Sequence, residues 1–241
     1  MPTNTVDILA FGAHPDDIEL GCGGSLAAAV AMGKKVGLVD LTRGELGTRG
    51  TPEVRQQEAA EAACILGASF RKNLNFRDGF FVNDEAHQRA VIELLRLHQP
   101  EIVLCNAIDD RHIDHAKGSQ LVSDACFLSG LAKISTTHAG EEQKAWRPKA
   151  VYHYIQWKDI PPDFVFAISD YLAIKMKAVE AYKSQFYDPS ATEPETPISS
   201  KNFLDSVRYR ARNLGRLCGT EAAEGFTVQR PPLIESFDAL S

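Results

Sequence analysis

Two short stretches hold most of the residue types that can do chemistry. One is His14-Pro15-Asp16-Asp17, directly after an apolar run from Val6 to Phe11. The other is Asp109-Asp110-Arg111-His112-Ile113-Asp114-His115, after the apolar run Ile102 to Leu104. Both place imidazoles and carboxylates at the end of a segment that reads as a strand. Ligands of open α/β sheets bind outside the carboxyl ends of the strands, so both stretches stand where an active site belongs. Zinc takes His nitrogen and carboxylate oxygen in a tetrahedral shell, and a catalytic zinc keeps a position for water. His14 and Asp17, facing each other across a strand-to-helix turn, and His115 from a second strand end make three protein ligands. The same donor set, without thiolate, also suits Mn, Fe(II) or Co. Such an ion lowers the pKa of water from about 16 to about 7. A base must still take the proton, and Asp16, beside the ligand Asp17, is the candidate: paired carboxylates take different roles when only one binds metal.

His112 precedes His115 by one helical turn, which would face both rings into one cavity. A protonated His112 is expected to stabilise an oxyanion or to protonate a leaving nitrogen. Asp114 is its expected orienting partner, with Asp110 as a rival. Together these groups describe amide hydrolysis, with a bell-shaped dependence on pH that rises as Asp16 or the water ionises and falls as His112 loses its proton. Structural explanations exist for each part alone. A lone histidine at a strand end is usually structural, and a lone Asp-Asp pair is usually a helix cap. Two His/Asp clusters at two strand ends are hard to explain as caps. His87 and His98, on an amphipathic helix, read as surface residues, and His138 and His153 as non-ligands.

The elements that must position these residues follow from pattern. Val6 to Ala13 reads as a buried parallel strand, apolar on both faces apart from Asp7. Pro15 disfavours helix at His14 and suits a helix start. Gly21, Gly23 and Gly24 permit close backbone approach, to the sheet or to a ligand, and a helix is expected from Ser25 to Met32. The glycines do not form a GxGxxG motif, which removes a dinucleotide-dependent redox reading. Lys35 to Leu41 is a second strand, followed by a glycine- and charge-rich loop, Thr42 to Gly50, that is a candidate substrate-binding rim. Thr51, Pro52 and Gly67 delimit a helix as N-cap, first residue and terminator. Leu74 to Phe76 is a short strand, and Arg77-Asp78-Gly79 a turn. Asp84 to His98 is a helix with Ala86, Ala90, Ile92, Leu94 and Leu95 as its apolar face. Glu101 to Asn106 is a strand. His115 to Leu131 is a helix with Gln120, Ser123 and Asp124 outward, and Thr136 to Lys144 a polar loop. Ala150 to Trp157 and Phe164 to Ile168 are strands. A helix starting at Ser169 or Asp170 carries Lys175, Lys177 and Lys183, Tyr187 to Ser200 is a loop, and Asn202 to Leu217 is the last helix. Strands alternating with helices predict an α/β three-layer fold with a mostly parallel sheet.

The chain has 241 residues, enough for a sizeable core and read as one domain, 1–241. Its net charge of −6, with no basic block, argues against nucleic acid and anionic membranes as partners. The five cysteines form no CxxC pair and read mostly as core thiols of a reducing compartment. With no signal-peptide pattern and no long apolar run, a soluble cytoplasmic protein is expected.

With AHPDD near the start, TRGE-x-G after the second strand and RHIDH after a later one, the chain resembles the PIG-L/LmbE-like zinc deacetylases, which remove acetyl groups from N-acetylglucosamine derivatives. The resemblance implies a Rossmann-like α/β sandwich and one zinc held by His14, Asp17 and His115. It implies Asp16 as general base, His112 as the group stabilising the tetrahedral intermediate with Asp114 behind it, and Arg55 on the sugar hydroxyls. Arg43 and Glu45 are expected to shape the rim. Within the family, TRGELGTRGT and Lys183 to Phe186 are similar to the bacillithiol-pathway enzyme that deacetylates N-acetylglucosaminyl-malate. That similarity implies a basic rim for the malate carboxylates, drawn from Arg49, Arg55, Arg111 and Lys183, with Tyr187 and Glu221 to Phe226 closing the other wall. Mycothiol-type, thiol-conjugate and chitobiose-type substrates are the alternatives within the family, whose members are often hexamers or other homo-oligomers. Two rivals remain. One is another hydrolase on the same metal, such as a phosphoesterase or a de-N-acylase of a different substrate, whose sites often use two metals and more carboxylates. A non-enzymatic sugar-binding protein with a structural metal would be expected to use four protein ligands and much cysteine.

Overall fold

The computed structural model describes residues 5–236, so the expected unit 1–241 runs beyond the described residues at both ends. In chain order the elements are β1 (Ile8–Gly12), α1 (Asp17–Ala31), β2 (Val36–Thr42), α2 (Pro52–Leu66), β3 (Phe70–Phe76), α3 (Glu85–His98), β4 (Ile102–Cys105), α4 (Ile113–Leu128), the short strands β5 (Thr137–His138) and β6 (Glu141–Glu142), β7 (Ala150–Tyr154), β8 (Phe164–Ala167), α5 (Leu172–Glu180), α6 (Lys201–Leu217) and β9 (Ala223–Val228). Seven strands form one sheet in the order β3-β2-β1-β4-β7-β9-β8. The first five are parallel, and β9 runs antiparallel to both β7 and β8. The predicted α/β fold with a mostly parallel sheet is the observed one.

The central strands β1, β2 and β4 are buried on both faces, as their continuous apolar sequences require. Alternate residues of β1 serve opposite layers. Ala10 packs with α1, α2, α5 and α6, whereas Leu9 and Phe11 pack with α3 and α4. From β1 the chain winds outward to β2 and β3, then returns to place β4 on the other side of β1. That reversal opens a crevice at the carboxyl ends of β1 and β4, the usual ligand position in such sheets.

Several boundaries differ from the sequence expectation. Helix α1 starts at Asp17, not Ser25, and takes in the three glycines with a break at Cys22. A Cβ on Gly21 would sit 2.0 Å from the Tyr154 ring, and one on Gly24 would sit 2.8 Å from Ile168. These glycines therefore serve packing against neighbouring elements, at the cost of helix propensity. α4 starts two residues before His115, and the polar loop after it contains the small β5–β6 hairpin. α5 ends at Glu180, so Lys183 lies beyond it.

His98 is buried and stacked on Phe70 at 4.2 Å, because the end of α3 tucks against β3; it is not the surface residue expected. On the same helix Ala86 is exposed, and Val91 takes its place in the core. Ser123 on α4 faces inward, beside His153. Glu221 to Phe226 is no pocket wall, because β9 runs inside the sheet and its Glu224 lies under α1. No helix among the described residues is long and apolar enough to cross a membrane.

Candidate active site and metal centre

The two clusters meet. β1 ends in a turn that carries His14, Asp16 and Asp17, and β4 leads into the loop and first turn of α4 that carry Asp110, His112, Asp114 and His115. The His14 and His112 rings are 4.5 Å apart between centroids, and His14 and His115 are 5.6 Å apart. His14, Asp16, Asp17, His112 and His115 line a cavity of about 410 Å³.

Each histidine is set by its partners. His14 Nε2 lies 3.1 Å from Asp78 Oδ1, and His115 Nδ1 lies 2.8 Å from Asp110 Oδ2. A ring nitrogen that bonds a carboxylate carries the proton, which leaves the other nitrogen as a donor to a metal. The nitrogens so freed are His14 Nδ1, 3.5 Å from Asp17 Oδ2, and His115 Nε2, 3.2 Å from Asp17 Oδ1. Ligands bound at about 2.0–2.1 Å in a tetrahedral shell are themselves about 3.3 Å apart. His14 Nδ1 and His115 Nε2 thus each stand near ligand-to-ligand spacing from the Asp17 carboxylate, the first from Oδ2 and the second from Oδ1.

Two groupings, His14 with His112 and His115, and His14 with Asp78 and Asp114, bring donor atoms within 4.8 Å of one another. Each includes a donor that is already engaged. The Asp78 grouping uses a carboxylate already bonded to His14, and His112 Nδ1 is taken by the Asp114 backbone N–H at 3.3 Å.

Electrostatics point the same way. Burial alone would lower the His14 pKa, but Asp114, Asp17 and Asp78 hold it well above the usual histidine value. Burial also works against a charged His115, yet Asp17 and Asp110 raise it to about 9. Burial would raise Asp17, but the His115 and His14 rings hold it well below the usual carboxylate range. The pocket floor is built to collect positive charge, whether protons or a cation.

Asp16 has a different environment. Burial, with Asp17 adding, pushes its carboxyl up to about 7, and the Arg55 guanidinium opposes the rise. Its backbone sits at φ 114°, where a residue with a Cβ is strained.

His112 departs from expectation. Burial first, then the neighbouring His14 and His115, pushes it down to about 4, so its surroundings favour the neutral ring and not the expected imidazolium. Because Nδ1 accepts from the Asp114 N–H, the neutral ring carries its proton on Nε2. The Asp114 carboxylate does not orient His112. It accepts from the Gly79 N–H, pairs with Lys117 and lies 3.5 Å from His14 Nε2. Asp110 orients His115.

The expected rim is partly rearranged. Arg55 lines the cavity but is buried, and it donates to Asp16 and to the carbonyls of Pro15 and Gly44. Arg43 turns away to Glu53, and Arg49 is buried against Glu193. The Glu45 carboxylate accepts from the Asp78 N–H, so it braces the loop that holds Asp78. Lys183 and Tyr187 are exposed and lie off the cavity, because the chain leaves α5 before reaching them.

Arg111 lines the mouth as expected, its guanidinium 4.5 Å over the Trp157 ring. The sequence reading did not single out Arg210, which donates to the Trp157 carbonyl, or the stacked pair Trp157 and Phe203. It also missed Asn106 and Gln156, which donate to Asp17, and Asp78 beyond its turn. The one local signal was position, since Asp78, Asn106 and Gln156 all follow a parallel strand at its carboxyl end.

A family model described as PIG-L, GlcNAc-PI de-N-acetylase, matches residues 9–126, the part that contains both clusters. An uncharacterized deacetylase of Escherichia coli, YaiS, is 31% identical over 73% of this chain and 90% of its own. The diacetylchitobiose deacetylase of Thermococcus kodakarensis is 28% identical over 77% of this chain and 72% of its own. Among solved structures, the conserved protein TT1542 of Thermus thermophilus superposes with a TM-score of 0.84 at 36% identity, covering 95% of this chain and 97% of that one.

Proposed function

Because the chain belongs to the PIG-L, GlcNAc-PI de-N-acetylase family, we propose that it is a metal-dependent hydrolase that removes the N-acetyl group from an N-acetylglucosamine conjugate. The observation that supports this reading is that His14, Asp17 and His115 line one cavity with both imidazoles within 3.5 Å of the Asp17 carboxylate, and that Asp16 lines the same cavity. Relatives named as deacetylases, one for diacetylchitobiose, support the sugar-amide substrate.

In this reading His14, Asp17 and His115 would hold zinc or a similar divalent ion, whose chemistry when bound would be to polarise the acetyl carbonyl and to acidify water. Asp16 takes a proton from the attacking water. His112 donates its Nε2–H to the oxyanion as it forms, which a neutral ring can do. Asp16 then passes its proton to the leaving nitrogen, and the C–N bond breaks to give acetate and the amine.

The finer reading is N-acetylglucosaminyl-malate as substrate, as in bacillithiol biosynthesis. Arg111 and Arg210 support it: both line the cavity and flank Trp157, offering cations to an aglycone carboxylate. Acetate release from zinc-loaded protein tests both levels, with N-acetylglucosaminyl-malate, diacetylchitobiose and an inositol conjugate offered side by side. Preference for the malate conjugate supports the finer reading. Equal release from all three removes it and leaves the deacetylase. Release from none, with zinc bound, overturns the proposed activity on these sugars.

A further inference from the structure

Asp17 is held by more groups than a metal ligand needs. Its Oδ2 accepts from the His14 backbone N–H at 2.9 Å and from Asn106 Nδ2 at 3.0 Å. Its Oδ1 accepts from Gln156 Nε2 at 2.7 Å. A carboxylate has about four lone-pair positions. Three are taken by neutral donors, and the fourth, on Oδ1, is on the oxygen that lies 3.2 Å from His115 Nε2.

The two amides are fixed in turn. Asn106 Oδ1 accepts from the Ala13 N–H at 2.8 Å, so its Nδ2 must face Asp17, and the same Nδ2 lies 3.5 Å from Gln156 Oε1. Both side chains are buried, and they come from the ends of β4 and β7, which pair side by side next to β1. Three adjacent strand ends thus supply the carboxylate and its two amide donors.

We propose that Asn106 and Gln156 are positioning residues that restrict Asp17 to single-oxygen donation through Oδ1. This rests on the reading of Asp17 as a metal ligand. Neutral amides suit this role. An arginine or lysine in their place would cancel the carboxylate charge that the ion needs, whereas an amide orients it and leaves the charge intact. Confining Asp17 to one oxygen also stops it from closing a second position on the ion, and an open position is what a hydrolytic site requires.

The test is Gln156→Met, which keeps the side-chain volume and removes the donor, with Gln156→Ala as the second variant should the first not fold. Zinc affinity is measured by chelator competition, and the melting temperature of chelator-treated protein reports the fold. A weakening of zinc binding by about 10- to 100-fold at an unchanged melting temperature is expected, as for other partners of metal ligands. Zinc affinity within about twofold of the parent would overturn the proposal, whatever happens to turnover. Parent protein that binds no zinc would instead overturn the ligand role of Asp17, so the two failures are distinguishable.

Discussion

Arg55 Nη2 lies 3.0 Å from Asp16 Oδ2 and also donates to the carbonyl of Pro15, one residue earlier. A single guanidinium therefore grips both the side chain and the strained backbone of the turn that presents the proposed base. A residue at positive φ costs on the order of 1–3 kcal/mol and persists where its surroundings over-determine it. Arg55 supplies much of that constraint from α2, a neighbouring element.

The first prediction concerns pH. Asp16 must be ionised to accept a proton, and burial holds it near 7 against the pull of Arg55. A cation on Asp17 pulls in the same direction as Arg55, so the acid limb of kcat/KM is expected below 7. Arg55→Gln removes a lowering influence and should move that limb to higher pH, with lower turnover at its plateau. Arg55→Lys keeps the charge without the fork and should move it less. A pH–rate profile of each variant checks this, and an acid limb unmoved in Arg55→Gln would separate Arg55 from Asp16 ionisation.

The second prediction separates ligand from base. His115→Ala is expected to lose the metal, whereas Asp16→Ala should keep it and lose about 10²- to 10⁴-fold in kcat, the usual worth of a general base. Asp78→Asn and Asp110→Asn leave the ligands in place but loosen the rings of His14 and His115, so a loss of about 10- to 100-fold in metal affinity is expected. Metal content after gel filtration and chelator competition distinguish the three classes. Full metal occupancy in His115→Ala would remove it from the ligand set.

What the sequence revealed of this site was local. His14, Asp16 and Asp17, and then His112 and His115, stand in short stretches beside apolar runs, and spacing alone brings them out. The fold class was legible for the same reason: each strand and helix carries its own period and its own stop signals, such as Thr51, Pro52 and Gly67. Residues whose role arises from distant pairing were not legible. Asp78 reads as a turn residue until β3 sets it beside His14, 64 positions away in the chain. Asn106 and Gln156 have no local motif. The glycines of α1 fell outside the expected helix because glycine disfavours helix, and the Tyr154 ring at Gly21 and Ile168 at Gly24 explain them. The preference of His112 for the neutral ring was not legible because burial, first, and the two neighbouring histidines oppose its charge, and both exist only in the folded chain.

The third prediction concerns selectivity. The two His/Asp clusters lie within residues 9–126, whereas Trp157, Phe203 and Arg210 lie outside that match and also line the cavity. Selectivity among sugar conjugates should therefore follow these three residues. Arg210→Met is expected to raise KM for a carboxylate-bearing conjugate about tenfold or more, in line with a lost charged hydrogen bond. KM for diacetylchitobiose, which has no carboxylate, should change little. Equal losses on both substrates would assign Arg210 to the cavity's shape and not to an anion.

The fourth prediction concerns the break in α1. Past Cys22 the helix restarts, and its second segment needs acceptors for its first N–H groups. Glu224 of β9 supplies them: Oε1 accepts from the Gly24 N–H at 3.0 Å, and Oε2 accepts from the Ser25 N–H at 2.7 Å and its hydroxyl at 2.6 Å. Lys175 of α5 pairs with the same carboxylate at 2.5 Å and donates to the Leu20 carbonyl at 2.8 Å. All of this is buried, so removing one partner leaves the other charge without its counterion, a cost of about 3–5 kcal/mol. The two losses should be unequal. Without Lys175, Glu224 keeps three donors, whereas without Glu224, Lys175 keeps one carbonyl and the restarted helix loses its cap. Glu224→Leu is therefore expected to destabilise more than Lys175→Met, and the double variant should recover part of the larger loss because no charge is left stranded. Urea unfolding of the three variants measures the order. If Lys175→Met proves the more damaging single change, the lysine, and not the helix cap, is what holds this junction together.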